Sequence, residues 1–171
     1  HVAVDVWHKT HGELIAEVLA TGEYLEEQVL DQQVPVVVLY GDECSIEGAS
    51  RADVFDAFKQ AHRYLELADP ADPLGGGRFV LVTTLVDEGM NFPTMSSIVM
   101  ARGLKGFIRC VQVAGRVLRA KTHGPNTARV IDFDDEGYQR GRSRTMAKQS
   151  DARKWKLQHY LECRPQIVSM P

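Results

Sequence analysis

Val36-Val37-Val38-Leu39-Tyr40 is an unbroken run of apolar and aromatic residues with no polar alternation. A strand of that composition has both faces covered, the situation of strands in parallel sheets. Four more segments of strand length repeat the theme: Val2 to Val6, Phe79 to Thr83, Ser97 to Met100 and Ala128 to Phe133. Stretches of helical periodicity lie between them. Alternation of this kind predicts an α/β domain whose mostly parallel sheet is covered by helices on both faces, with functional groups at the carboxyl ends of the strands. Thr83 and Arg119 are both expected near that edge.

The helical segments carry recognisable signals. Thr10-His11-Gly12-Glu13 has capping-box spacing ahead of Leu14, Ile15, Val18 and Leu19, which predicts a helix beginning near residue 11. Tyr24 to Gln32 reads as a second helical stretch that Pro35 stops. Ser50 is an N-cap with Asp53 three residues on, and Val54, Phe55, Phe58, Ala61 and Leu65 form an apolar stripe. Residues 68–77, with two prolines and Gly75-Gly76-Gly77, read as a surface loop whose length implies mobility. Gln112 to Leu118 fall on another helix. Ser143 is positioned to cap a last one reaching about Leu161, with Met146, Trp155, Leu157, Tyr160 and Leu161 available for packing.

A chain of 171 residues, 44% hydrophobic, suffices for one substantial core. No apolar run approaches a membrane span and no signal-peptide pattern opens the chain, so a cytoplasmic protein with no membrane partner is expected. Cys44, Cys110 and Cys163 are odd in number and lack CxxC spacing, which argues against a disulfide framework or a zinc site. The histidines have no HExxH-type spacing either, and no metal site is expected in this chain. The net charge of −3 conceals a strong polarity. Residues 1–100 hold 5 Lys/Arg against 17 Asp/Glu, and residues 101–171 hold 15 against 6. A basic half of this kind is an electrostatic footprint for phosphates.

Two motifs sharpen that expectation. Gln112-Val113-Ala114-Gly115-Arg116-Val117-Leu118-Arg119 sets two guanidinium groups three residues apart, on one helix face, as permanently charged forks suited to phosphate oxygens. Thr83 to Pro93 follows a strand with a polar turn closed by Gly89, Asn91 and Pro93. Together they resemble motifs VI and V of the superfamily 2 helicases and translocases, whose patterns are Q-x-x-G-R-x-x-R and T-x-x-x-x-x-G-x-[DN]-x-P. Order and spacing agree, and the resemblance spans most of residues 2–136, particularly to phage-type DNA repair helicases and restriction-enzyme translocases. It implies a three-layer RecA-like domain over residues 1–136, followed at 137–171 by a basic C-terminal helical extension.

The resemblance also implies roles. Arg119 corresponds to the arginine finger and Arg116 contacts the same γ-phosphate, making these two the catalytic pair. Gly89, Asn91, Gln112, Arg116 and Arg119 form the nucleotide-binding set, with Asn91 standing where most members have aspartate. Asn91 keeps a carbonyl acceptor but not the charge. Thr83, with Thr84, matches the contact to a nucleic-acid phosphate, and Arg140, Arg142 and Arg144 of the basic extension are further candidates for that backbone. The Gly-x-x-x-x-Gly-Lys-Ser/Thr loop that cradles the phosphates of ATP is not in this sequence, and the resemblance puts the Asp-Glu pair that holds Mg²⁺ on the same missing lobe. The cofactor would therefore be held mainly by an N-terminal lobe, which is one expected partner, DNA being the other and RNA remaining open. This chain alone would be inactive. A non-catalytic nucleic-acid or protein-binding module of the same shape remains an alternative, as does an unrelated flavodoxin-like domain.

Overall fold

The structure is a computed structural model that describes residues 2–21, 35–61, 66–86, 95–102, 107–119, 127–133 and 145–161. Within them lie six strands, β1 (Val2–Asp5), β2 (Val36–Tyr40), β3 (Glu43–Cys44), β4 (Val80–Thr83), β5 (Ser97–Met100) and β6 (Arg129–Asp132). Four helices accompany them: α1 (Lys9–Thr21), α2 (Arg51–Gln60), α3 (Phe107–Val117) and α4 (Thr145–Leu161). The strands form one sheet in the order β3-β2-β4-β1-β5-β6. All pairings are parallel except β2 with the short return strand β3. The α/β class with a mostly parallel, doubly covered sheet is as the sequence implied.

Handedness explains which helix lies where. From β1 the chain moves to β2 on one side of the sheet, and from β2 onward it moves back in the opposite direction through β4, β5 and β6. Right-handed crossovers place helices of opposite travel on opposite faces. Accordingly Val4, Val6, Val38 and Val82 face α1, with Ile15 and Ala16 packed on them. The larger core on the other face joins Ala3, Val37, Leu39, Leu81, Ile98 and Met100 to Val54 and Phe58 of α2, Cys110, Val113, Ala114 and Val117 of α3, and Leu157 of α4. Phe58 meets Phe79 edge to face, ring centroids 5.5 Å apart. Helix α4 is thus seated on the main core.

Local details depart from the sequence reading in three places. First, α1 starts two residues before the expected position, and its cap is built from histidine. The His11 amide donates to Nδ1 of His8 (3.3 Å), and Nδ1 of His11 accepts from the Trp7 amide (3.4 Å). Thr10 therefore sits inside the first turn. Second, the inward residues of α1 are Gly12, Ile15 and Ala16, while Leu14 and Val18 are exposed. Tyr40 sets this rotation: its hydroxyl donates to the Lys9 carbonyl (2.8 Å), and a Cβ on Gly12 would lie 1.9 Å from that oxygen. Burial, with Glu13 nearby, pushes the Tyr40 hydroxyl up to about 12, so it remains a donor at every physiological pH.

Third, residues 68–77 are pinned. The Ala68 amide donates to the Arg78 carbonyl and the Arg78 amide to the Glu66 carbonyl, both at 3.0 Å, and Ala68 is buried. A Cβ on Gly77 would stand 2.3 Å from the Ala68 backbone nitrogen. Gly77 is glycine because two chain segments touch there, which the tri-glycine pattern alone did not reveal. The Ser50–Asp53 capping box of α2 forms as expected, its hydrogen bonds holding the Asp53 carboxyl below the usual range. The expected helix at residues 24–32 and the side chains of Leu65 and Met146 lie outside the described residues.

Two outcomes follow from these contacts. Gly77→Ala should lower unfolding free energy by about 2 kcal/mol in a urea titration, because backbone cannot give way as a side chain can. Burial first, then the nearby His8, lowers the pKa of His11. The cap's contribution is therefore complete above the unfolded value of 6.5 and is lost as pH falls through the lower folded value. His11→Gln keeps an acceptor that does not titrate, so the roughly 1 kcal/mol drop expected between neutral and mildly acidic pH should shrink in that variant.

Candidate functional site

The site is best built from α3. Cys110, Val113, Ala114 and Val117 recur at helical spacing and are fully buried against the sheet. That same spacing turns Ile108, Gln112 and Arg116 outward, with Arg119 two residues past the helix end, and Ile108 is 68% exposed. Gln112 and Arg119 are exposed and Arg116 is half-buried. Arg116 occupies the last turn, where a cation complements the helix dipole. Gly115 shares this surface, and a Cβ placed on it would meet nothing within 4 Å. A glycine inside a helix costs about 1 kcal/mol relative to alanine. Nothing among the described residues uses the space it leaves.

The direction of α3 separates this surface from the strand ends. β5 delivers the chain to the carboxyl edge of the sheet, and α3 returns it toward the amino end of β6, its parallel neighbour. Arg116 and Arg119 therefore lie at the far end of α3 from that edge, whereas Thr83 closes β4 on the edge itself. The sequence reading had placed Thr83 and Arg119 at the same edge; the crossover geometry corrects it. Thr83 is fully buried, its carbonyl accepting from the Val6 amide and its Oγ1 from the Leu85 amide, both at 3.1 Å. Thr84 is half-buried at the bend that follows.

Two buried ion pairs close the carboxyl edge. Asp5 ends the central strand β1, level with Thr83 and Met100, and accepts from Nε of Arg102 at 2.5 Å with both side chains almost fully buried. Asp132 ends β6 and takes Nε of Arg153 at 3.0 and 2.9 Å on its two oxygens. Arg153 also donates to the Phe133 carbonyl (3.3 Å), which Ser150 Oγ reaches at 2.8 Å. Arg153 belongs to the basic C-terminal stretch, yet it is 2% exposed and clamps the helix to the sheet. Sequence reading missed both pairs. An aspartate ending an apolar run was the available sign, but partners 97 and 21 residues away cannot be assigned without the register.

The remaining candidates, Gly89, Asn91, Arg140, Arg142 and Arg144, lie outside the described residues. Among the described residues, no three His, Cys, Asp or Glu side chains converge as a metal site, and no helix is long and apolar enough to cross a membrane. The described geometry thus offers one surface with two guanidinium groups at the far end of α3, and a second edge at the strand ends where two aspartates are each paired with an arginine.

No protein-family model and no curated protein matches the chain. Among solved structures, it is similar to the ATP-dependent Type ISP restriction-modification enzyme LlaBIII bound to DNA, with a TM-score of 0.53 and 14% identity over 92% of this chain. It is also similar to the C-terminal part of the Fun30 ATPase domain, with a TM-score of 0.46 and 16% identity over 94% of this chain. The chain spans 10% of the first protein's length and 47% of the second's. At 14% identity the likeness to the first is one of fold alone, consistent with a RecA-like domain.

Removing one member of the Asp132–Arg153 pair leaves a poorly solvated charge behind. Arg153→Ala should cost about 3 kcal/mol in chemical denaturation, while Asp132→Leu combined with Arg153→Met should recover most of it.

Proposed function

We propose that this chain is the second motor lobe of an ATP-dependent nucleic-acid translocase or helicase, with DNA as its track. The observation that carries the reading is the surface of α3, where Gln112, Arg116 and Arg119 line up around a glycine whose space no described residue fills. A surface shaped in this way suits close approach by something outside the chain. The likeness of fold to part of an ATP-dependent enzyme solved with DNA supports the same reading.

On this reading ATP and Mg²⁺ sit mainly on an N-terminal lobe, and α3 faces them across a cleft. Arg119 approaches the γ-phosphate as an arginine finger and stabilises the charge that develops on its oxygens during transfer to water. Arg116 binds the same phosphate, and Gln112 joins the nucleotide surface to the track. Gly89 and Asn91 complete the nucleotide set, with the Asn91 carbonyl as acceptor. The turn at Thr83 and Thr84 takes a DNA phosphate at the carboxyl edge. Thr83 itself is fully buried, its Oγ1 accepting from the Leu85 amide, so it shapes the turn and the half-buried Thr84 is the one placed to meet the phosphate. Arg140, Arg142 and Arg144 extend the basic track. Nucleotide and DNA then engage opposite ends of one sheet, so closure of the cleft displaces the DNA contact as part of a rigid body.

The decisive experiment is DNA-stimulated ATP hydrolysis by the protein extended upstream through its natural reading frame. Arg119→Ala should reduce the rate by roughly a hundredfold or more. Unchanged hydrolysis in Arg119→Ala, or none in the extended protein, would leave a binding module of the same fold. Gly115→Ala separates folding from function: it should raise thermal stability by a few degrees through helix propensity while lowering hydrolysis. A variant both more stable and fully active would refute close approach at Gly115.

A further inference from the structure

Helix α4 turns Ser150, Arg153 and Leu157 toward the domain, and each is almost fully buried. The side opposite that clamp carries the rings of Trp155 and His159, and Tyr160, two turns on from Arg153, stands at the margin beside them. Trp155 is 54% exposed and Tyr160 52%, and His159 is exposed as well. The Trp155 and His159 rings are stacked, with centroids 4.8 Å apart and planes 14° from parallel. Tyr160 stands edge-on to both, at 5.7 Å from Trp155 and 5.1 Å from His159. Large aromatic surface held in a fixed arrangement yet open to water is the signature of a recognition patch more than of a core.

The surroundings select the occupant. Lys154 and Lys156 flank Trp155, and Lys148 lies two turns earlier on the exposed side, against a single acid, Asp151. A membrane surface would call for aliphatic residues beside the rings, but the other outward positions of α4 near them are Lys148, Asp151 and Gln158. Flat rings bordered by cations match a strand that offers bases to stack and phosphates to neutralise. In a duplex the base faces are already occupied by their neighbours, so the bases taken here are unpaired.

We infer that Trp155, His159 and Tyr160 form a stacking platform for unpaired bases of a single-stranded nucleic acid, with Lys154 and Lys156 beside the backbone. This rests on the nucleic-acid part of the proposed function and adds a second contact, on the far side of α4 from the sheet. It does not depend on ATP hydrolysis. The platform gives the lobe a hold on a displaced or gapped strand that is separate from phosphate contacts at the sheet edge.

Trp155 is one of two tryptophans, so Trp7→Phe makes its emission a direct reporter. In that background a short oligothymidylate at low salt should quench the emission, and an abasic strand of equal length should not. Trp155→Ala should weaken binding of a labelled oligothymidylate about tenfold by anisotropy, with helicity by circular dichroism unchanged. Equal quenching by the abasic strand would reduce the patch to a phosphate contact and overturn the platform. So would a response to phosphatidylglycerol vesicles in place of the oligonucleotide, or no oligonucleotide binding at all. Binding that persists undiminished in Trp155→Ala overturns the platform while leaving the nucleic-acid reading intact, and the hydrolysis defect of Arg119→Ala tests the motor reading separately.

Discussion

The Asp5–Arg102 pair is the constraint on which the rest of the architecture hangs. β1 is the inner strand between β4 and β5, so its last residue is a carboxylate with no exposure to water. A buried carboxylate is tolerated only with a partner, and the partner must come from a segment that reaches the same depth. Arg102 does so because β5 ends level with β1 and the chain turns immediately afterward. That turn leads into α3. The pair therefore ties strand register to the start of the helix whose outer surface carries Gln112, Arg116 and Arg119.

Much of this was legible in the sequence where local chemistry decides structure. Runs such as Val36 to Tyr40 announce strands covered on both faces, and the Ser50–Asp53 cap forms as its spacing implies. The reading failed where the deciding partner is remote. The His8–His11 cap displaced the Thr10 box because Tyr40, thirty-one residues from Lys9, fixes the first turn of α1. Gly77 looked like loop flexibility because its reason is a backbone segment nine residues away. In the candidate site, residue types and spacing were readable, but the separation of Thr83 from Arg119 depends on crossover direction.

The charge asymmetry shows how composition can overcount. The basic second half holds 15 Lys and Arg, yet two of the most deeply placed, Arg102 and Arg153, serve acids at strand ends. Both neutralise carboxylates at the edge where a parallel sheet ordinarily presents its functional groups. Their effect is to take two guanidinium groups out of the basic surface that composition alone suggests.

The placement of α4 gives the basic segment a definite orientation. One buried arginine, a serine on the same carbonyl and Leu157 in the core hold one face of the helix against β6 and α3. Fixing that face fixes the opposite one, so Trp155 and His159 point outward by geometry, and Tyr160 at the margin meets both edge-on. A buried ion pair is a poor source of net stability but a good source of orientation, because only one alignment satisfies both charges. Arg153 thus does for α4 what the buried Cys110, Val113, Ala114 and Val117 do for α3, setting which side of a helix the domain presents outward.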